Sequence, residues 1–161
     1  MSHVPAHPKL RIGHVHLKVA DLERGLLFWR DLLGLQETQR MQGAVFLSAG
    51  GSHHHIALNT WESAGGRPAG RGFTGLYHVA LLYPDRPALA TALKRLVEAR
   101  YPLEGAGDHG VSEAIYLRDP DGNGVELYRD RPYDEWPRDE HGNLAMTSEP
   151  VDLRALLAEA E

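Results

Sequence analysis

The chain has 161 residues, of which 42% are hydrophobic and 24% charged, values typical of one soluble domain or one duplicated pair of small units. A formal net charge of −5 without a basic run argues against a nucleic acid or an anionic membrane surface as partner. The chain has no cysteine, which excludes disulfides and thiolate metal sites, and no apolar run or leader typical of a membrane span or signal peptide, so we expect a cytoplasmic protein.

The first part of the chain has the pattern of a strand, a helix and three further strands. Residues 1–10 contain two prolines and few apolar residues, and we interpret them as a loose N-terminal arm. The β-branched and apolar run at 12–19 predicts a strand. Asp21 can then cap a helix that Gly34 ends. Three short strands are predicted to follow, near residues 35–41, 43–49 and 53–59.

The second part of the chain repeats the pattern of the first. The sequence GLYHVALLYPD at 75–85 follows the same logic as RIGHVHLKVAD at 11–21. In these segments His14 and His78 hold equivalent places, each seven residues before an aspartate. A helix from about residue 87 to 100 follows, and then strands near 102–106, 112–118 and 124–129. An internal repeat of this kind indicates two modules that pack together, because neither module alone can bury the apolar face of its sheet.

These elements predict an α+β fold built from two βαβββ modules, whose paired sheets form an open, barrel-like cleft that holds a metal. We place one domain at 11–136, with module one at 11–61, a glycine-rich linker at 62–75 and module two at 76–130. The tail at 137–161 is predicted to contain a short amphipathic helix, which Ser148 could cap. We expect this tail to pack against the domain or against a neighbouring chain.

Two histidines and one glutamate are the predicted metal ligands. His14 and His78 lie on the first strand of each module, and Glu126 lies on the last strand of module two. Two imidazoles and one carboxylate on one face suit Fe(II) or Mn(II) and leave coordination positions open. A single histidine in a strand is more often a structural residue, but equivalent placement in a repeat favours metal binding. His16 faces the same side as His14 and could line the pocket or compete for the metal.

A second group of residues, between 107 and 126, resembles a known motif. It consists of a Gly-x-His step, an aliphatic residue before a tyrosine, a DPDG turn and a glutamate: Gly107, His109, Ile115, Tyr116, Asp119, Pro120, Gly122 and Glu126. The set resembles the vicinal-oxygen-chelate (glyoxalase, bleomycin resistance, dioxygenase) superfamily and, within it, the type I extradiol catechol dioxygenases. The resemblance covers about residues 11–136 and implies the two-module fold. The Asp, Pro, Asn and Gly of the turn also serve simply to form a hairpin that places Glu126.

The resemblance implies roles for three further side chains. His54 would be the acid/base that takes a proton from the diol, Tyr116 would hydrogen-bond a substrate oxygen and His109 would support it. It also implies Fe(II), with Mn(II) or another divalent metal as alternatives, a small aromatic diol and dioxygen as substrates, and a homodimer.

Strand alternation leaves the assignment of the acid/base open. If a strand runs through all three consecutive histidines, His53, His55 and Ala57 share one face and His54 lies on the other, which favours His53 or His55, with His55 as the main rival of His54. A bulge, or a strand that starts after His55, would favour His54.

Two alternative functions stay open at this point. One is another metal-dependent lyase, isomerase or transferase of the same superfamily, and the other is a non-enzymatic small-molecule binder of the bleomycin-resistance type. Ala57, which stands where the repeat places the counterpart of Glu126, cannot coordinate. Three protein ligands leave room for a bidentate diol and oxygen, so the sequence favours the dioxygenase.

Overall fold

The structure, a computed structural model, describes residues 4–161, and the first three residues of the predicted arm lie outside the described residues. Its strands are β1 (Val15–Lys18), β2 (Gln36–Met41), β3 (Ala44–Ser48), β4 (Ile56–Asn59), β5 (Val79–Tyr83), β6 (Leu103–Asp108), β7 (Ser112–Arg118) and β8 (Gly124–Asp130). Its α-helices are α1 (Leu22–Leu26), which continues as a π-helical segment at Leu27–Leu32, α2 (Arg86–Glu98) and α3 (Leu153–Leu157). A 3₁₀ turn spans Tyr133–Glu135.

The strands form two four-stranded sheets with the same topology, in the orders β1-β4-β3-β2 and β5-β8-β7-β6. In each sheet the first strand of the module pairs parallel with the last, and the other pairs are antiparallel. The predicted α+β fold of two βαβββ modules is therefore confirmed. The sheets leave an open cleft and do not close into a barrel.

Helices α1 and α2 begin where the sequence predicts and supply much of the core. Asp21 caps α1 by accepting a hydrogen bond from the backbone N–H of Arg24 at 2.7 Å, and Asp85 caps α2 in the same way. The turn after the π-helical segment occurs at Gly34, whose φ of 84° lies in the region that favours glycine. Behind the sheets the largest buried side chains of these helices are Trp29, Phe28, Leu89, Leu93 and Leu96.

A clasp of hydrogen bonds joins the DPDG turn of module two to module one. One Asp121 carboxylate oxygen accepts from the backbone N–H of Ala20 at 2.9 Å and from the Arg24 guanidinium at 2.5 Å. Beside it, the buried Asp119 accepts from the indole N–H of Trp29 at 3.3 Å. Burial raises the pKa of the Asp119 carboxyl despite these hydrogen bonds. The turn therefore fixes one module against the other, in addition to forming the predicted hairpin.

The C-terminal tail packs back onto module two. Its helix α3 is capped by Asp152, which accepts from two backbone N–H groups, so the predicted cap at Ser148 is wrong. The helix starts several residues later than predicted because the chain at Glu149 still pairs with Asp108 of β6 in an isolated bridge. Leu156 is fully buried, and Glu159 forms an ion pair with Arg86 at the start of α2. Among residues 4–161, no helix is long and apolar enough to cross a membrane.

Candidate metal and active site

His78 and Glu126 form the centre of the site. His78 directly precedes β5, and Glu126 lies on β8, the parallel neighbour of β5. The Nε2 atom of His78 lies 2.9 Å from Oε2 of Glu126. Two donors held about 2.1 Å from one ion at right angles lie about 3 Å apart, so this spacing fits two adjacent ligands of a single cation.

His14 directly precedes β1 and faces the same large cavity as His78. This cavity has a volume of about 860 Å³ and is lined largely by apolar side chains. His78 also lines a smaller cavity of about 280 Å³, which it shares with Tyr116. Among residues 4–161, no three His, Asp or Glu side chains lie close enough together to hold one ion. The structure therefore brings together two of the three predicted ligands, and His14 as the third stays a prediction.

The three consecutive histidines precede β4, which begins at Ile56. The ring of His54 lies 4.3 Å from the ring of His14 and 5.0 Å from that of Phe46. His55 is turned toward the β3–β4 connection, where its Nδ1 accepts a hydrogen bond from the backbone N–H of Ala49 at 3.1 Å. These contacts place His54 beside the predicted ligand His14, whereas His55 lines the cavity that His14 and His78 face, so the choice of acid/base stays a prediction.

The ring of His54 is also held by its neighbour. Its Nδ1 lies 2.6 Å from Nδ1 of His53, so one of these atoms donates to the other and Nε2 of His54 is left for other partners. Burial, followed by the neighbouring imidazoles of His14 and His53, lowers the pKa of His54. A lowered pKa favours the neutral imidazole, the form that can accept a proton.

Tyr116 and His109 form a hydrogen-bonded pair next to Glu126. Tyr116 Oη lies 2.7 Å from Nε2 of His109, and Tyr116 is in register with Glu126 across β7 and β8. Burial, followed by the charge of Glu126, raises the pKa of Tyr116, so the hydroxyl keeps its proton. The side chains of Glu126, His78, Tyr116 and His109 thus form one connected polar cluster in module two.

His16 makes a different set of contacts from His14. Its Nε2 lies 2.9 Å from Nδ2 of Asn59, and its ring packs 5.6 Å from Trp61 and 6.0 Å from Phe46. Burial, followed by the nearby His14, lowers the pKa of His16. His16 is exposed overall, but its Nε2 atom is engaged with the Asn59 amide, which separates it from the candidate ligands.

Two glycines matter to the site in ways that the sequence analysis missed. A Cβ atom on Gly124 would lie 2.0 Å from the carbonyl oxygen of Tyr77 and 3.0 Å from Cβ of His78. Gly124 therefore lets β8 approach the chain where His78 is placed. The GNG sequence was the available signal, but it also suits a simple turn. A Cβ atom on Gly107 would lie 3.3 Å from the ring of His109, so Gly107 gives that ring its room.

Comparison with known proteins places this fold and site in a family. The model of the Glyoxalase/Bleomycin resistance protein/Dioxygenase superfamily matches residues 11–127, and the chain belongs to this superfamily. It is similar to a glyoxalase/dioxygenase of known structure from Nostoc punctiforme, with a TM-score of 0.66 and 20% identity over 82% of this chain and 99% of that chain. At this identity, the likeness supports the fold alone.

Two curated relatives are more similar in sequence. A catechol-2,3-dioxygenase from Bacillus subtilis (strain 168) is 45% identical over 154 residues, which cover 96% of this chain and 53% of the relative. A biphenyl-2,3-diol 1,2-dioxygenase 3 from Rhodococcus globerulus is 33% identical over 125 residues, 74% of this chain and 63% of the relative. The chain thus spans between half and two thirds of the length of these two relatives.

Proposed function

We propose that this protein is an Fe(II)-dependent extradiol ring-cleavage dioxygenase that acts on a small catechol-type diol and dioxygen. The observation that carries the proposal is the polar cluster of module two, in which the His78–Glu126 pair, at 2.9 Å, adjoins the Tyr116–His109 pair, at 2.7 Å. The names of the two curated relatives, both dioxygenases of aromatic diols, support the same reaction class. Membership of the superfamily supports a divalent metal as the cofactor.

The donor chemistry fits such an ion. Glu126 and His78 are spaced as adjacent ligands, and each offers an atom type that Fe(II) and Mn(II) accept. His14, which faces the same cavity as His78, would complete the set of two imidazoles and one carboxylate. When bound, the ion would hold the diol and dioxygen side by side and carry electrons between them.

The residues around the ion would handle protons and binding. His54 would accept a proton from one diol hydroxyl through Nε2, in the tautomer whose Nδ1–H donates to His53. Tyr116 would hydrogen-bond the second diol oxygen while His109 holds it in place. The large cavity of about 860 Å³ is roomy enough for a small aromatic ring. Apolar side chains along it, among them Ile12, Val15, Leu76 and Leu82, would contact the ring.

The test compares two histidines that lie two residues apart, His14 directly before β1 and His16 within it. Protein loaded anaerobically with Fe(II) is expected to consume oxygen with catechol and to form a yellow ring-cleavage product. His14→Ala is expected to abolish this turnover, and His16→Ala, the matched control, to retain most of it. Turnover that survives His14→Ala would refute the ligand set. Full activity toward a non-diol substrate with Zn(II), without oxygen uptake, would instead identify a lyase or isomerase.

A further inference from the structure

A segment of the C-terminal tail, residues 144–149, lies against the end of β6 next to His109. The backbone N–H of Asp108 donates to the carbonyl of Glu149, and the N–H of Glu149 donates to the carbonyl of Asp108, both at 2.8 Å. The N–H of Thr147 donates to the carbonyl of His109 at 3.0 Å. Three backbone hydrogen bonds therefore fix this segment beside a residue of the candidate site.

The segment also contacts the ring of His109. The carbonyl oxygen of Thr147 lies 3.2 Å from Nδ1 of His109. A carbonyl oxygen can only accept, so this contact requires the hydrogen on Nδ1. A neutral imidazole carries one N–H, so its Nε2 atom must be an acceptor, and the Tyr116 hydroxyl, 2.7 Å away, must be the donor to it.

The position of the ring depends on a residue without a side chain. His109 folds back over Gly107, where a Cβ atom would lie 3.3 Å from both Cε1 and Nε2 of the ring. The ring is thus bounded by Gly107 on one side, Thr147 at Nδ1 and Tyr116 at Nε2. In the neutral ring, with both nitrogens engaged, the direction of each hydrogen bond is determined.

We propose that segment 144–149 is a positioning element of the active site, which acts through His109 to set the hydrogen-bond direction of Tyr116. The Thr147 carbonyl accepts from Nδ1 and so fixes the Nδ1–H tautomer of His109. Tyr116 therefore donates its hydroxyl hydrogen to Nε2 of His109. The Tyr116 oxygen then offers only lone pairs to a ligand, so the group it binds must be a donor. The identity of that ligand rests on the proposed function: one diol hydroxyl gives its proton to His54, and the other keeps its hydrogen and donates it to Tyr116.

The primary test measures the tautomer in the intact protein without metal or substrate. Nitrogen-15 histidine labelling and long-range proton–nitrogen NMR distinguish Nδ1–H from Nε2–H, and His109→Gln identifies the signal among those of ten histidines. The Nδ1–H tautomer is expected for neutral His109. An Nε2–H tautomer in the unmodified protein would overturn the proposal.

Variants of the segment test its role. Thr147→Pro removes the N–H that is donated to His109, and Glu149→Pro removes the N–H that is donated to Asp108, so each is expected to increase the Nε2–H form. Thr147→Val keeps the backbone groups and serves as the control with an unchanged tautomer. If either folded proline variant shifts the segment but leaves the tautomer unchanged, the segment does not position His109.

Kinetics separate this proposal from the proposed function. In Fe(II)-loaded protein, Thr147→Pro is expected to lower kcat for catechol about tenfold or more, as loss of an outer partner of a metal site does, while Thr147→Val retains kcat. 2-Methoxyphenol, which lacks the second hydroxyl donor, is expected to compete weakly with catechol. The expected tautomer without oxygen uptake would refute the dioxygenase alone. A shifted tautomer with unchanged kcat would refute the positioning role alone.

Discussion

Ala57 and Glu126 occupy equivalent positions in the two sheets. Ala57 on β4 is in register with His16 on one side and Phe46 on the other, and Glu126 on β8 is in register with Ala80 and Tyr116. The two modules therefore share one backbone pattern but carry different side chains on it. Only the position in module two offers a carboxylate, so the repeat supplies one ligand pair at His78 and Glu126.

Glu126→Gln is expected to weaken the binding of Mn(II) or Fe(II) by more than about 100-fold, because losing a ligand costs more than losing one of its outer partners. The amide keeps the shape of the side chain but not its charge. Calorimetric titration of metal-free protein measures the effect. Glu140→Gln, at an exposed glutamate, is the control with unchanged affinity. Equal affinity in the Glu126 variant would exclude this carboxylate from the metal site.

Asp121→Ala is expected to weaken metal binding although Asp121 is not a ligand. It removes the acceptor for Ala20 and Arg24, and with it a hold on the angle between the module of His14 and that of His78. The loss of hydrogen bonds to a charged group should also lower the free energy of unfolding by about 1.5–3 kcal/mol.

Urea unfolding and metal titration measure the two effects of this substitution. Asp134→Ala, at an exposed aspartate of the 3₁₀ turn, should change neither. Metal affinity that stays constant while stability falls would show that the clasp does not govern the site.

Glu113→Gln is expected to destabilise the fold by about 1.5–3 kcal/mol at pH 7, because it removes the charge of a buried carboxylate that accepts from two partly buried guanidinium groups. Glu113 accepts from Arg86 at 2.9 Å and from Arg129 at 2.6 Å on the outer side of module two. Burial alone would raise the pKa of Glu113, but the hydrogen bonds from Arg129 and Arg86 outweigh it and the pKa is lowered.

The sign of its pH dependence follows from that lowered pKa. The stability that Glu113 contributes is present above the ordinary carboxyl range and is lost as the pH falls through the lowered pKa, so the deficit of the variant should shrink in acid. Denaturant unfolding at pH 7 and at about pH 3 tests this. Glu104→Gln, which breaks an exposed pair with Arg118, should cost less than about 1 kcal/mol. A deficit that grows in acid would contradict the assignment.

Gly124→Ala is expected to cost about 3 kcal/mol, because the added methyl group meets the rigid carbonyl of Tyr77 rather than a flexible side chain. The displaced chain carries His78, so metal affinity should fall as well. Gly105→Ala in β6 is the matched control, since nothing lies within 4 Å of its added Cβ atom. Thermal unfolding and metal titration of both variants measure the difference. If Gly124→Ala changed neither stability nor metal affinity, β5 and β8 would have to move apart at no cost to make room for the methyl group.

Local patterns were enough to predict the α+β fold, because each module carries its own signals. The capping aspartates, the alternating strands and the repeat around His14 and His78 all depend on residues close in sequence. The histidine cluster was less clear, since the choice between His54 and His55 depends on where β4 begins. That start is set by pairing with β3, in which Ile56 is opposite Leu47.

The parts that sequence patterns could not give are those that join distant elements. The distance from His14 to the His78–Glu126 pair depends on the angle between the modules. No local sequence pattern encodes this angle, so it could not be predicted. The clasp at Asp121 joins residues about a hundred positions apart. The bridge between Glu149 and Asp108 likewise joins distant residues, and because it occupies the chain next to Ser148, the helix is capped by Asp152 instead.

Asp121 and Glu126 are five residues apart on one hairpin. Asp121 accepts hydrogen bonds from module one, and Glu126 is a candidate ligand of the ion. A tilt of one half of the molecule would therefore pull on the same short stretch of chain that presents the carboxylate. This constraint matters if the protein is engineered for bulkier substrates. Enlarging the cavity by changing the angle between the modules would disturb the metal site. Replacing cavity-lining residues such as Leu76 or Leu82 by smaller ones would leave the metal site in place.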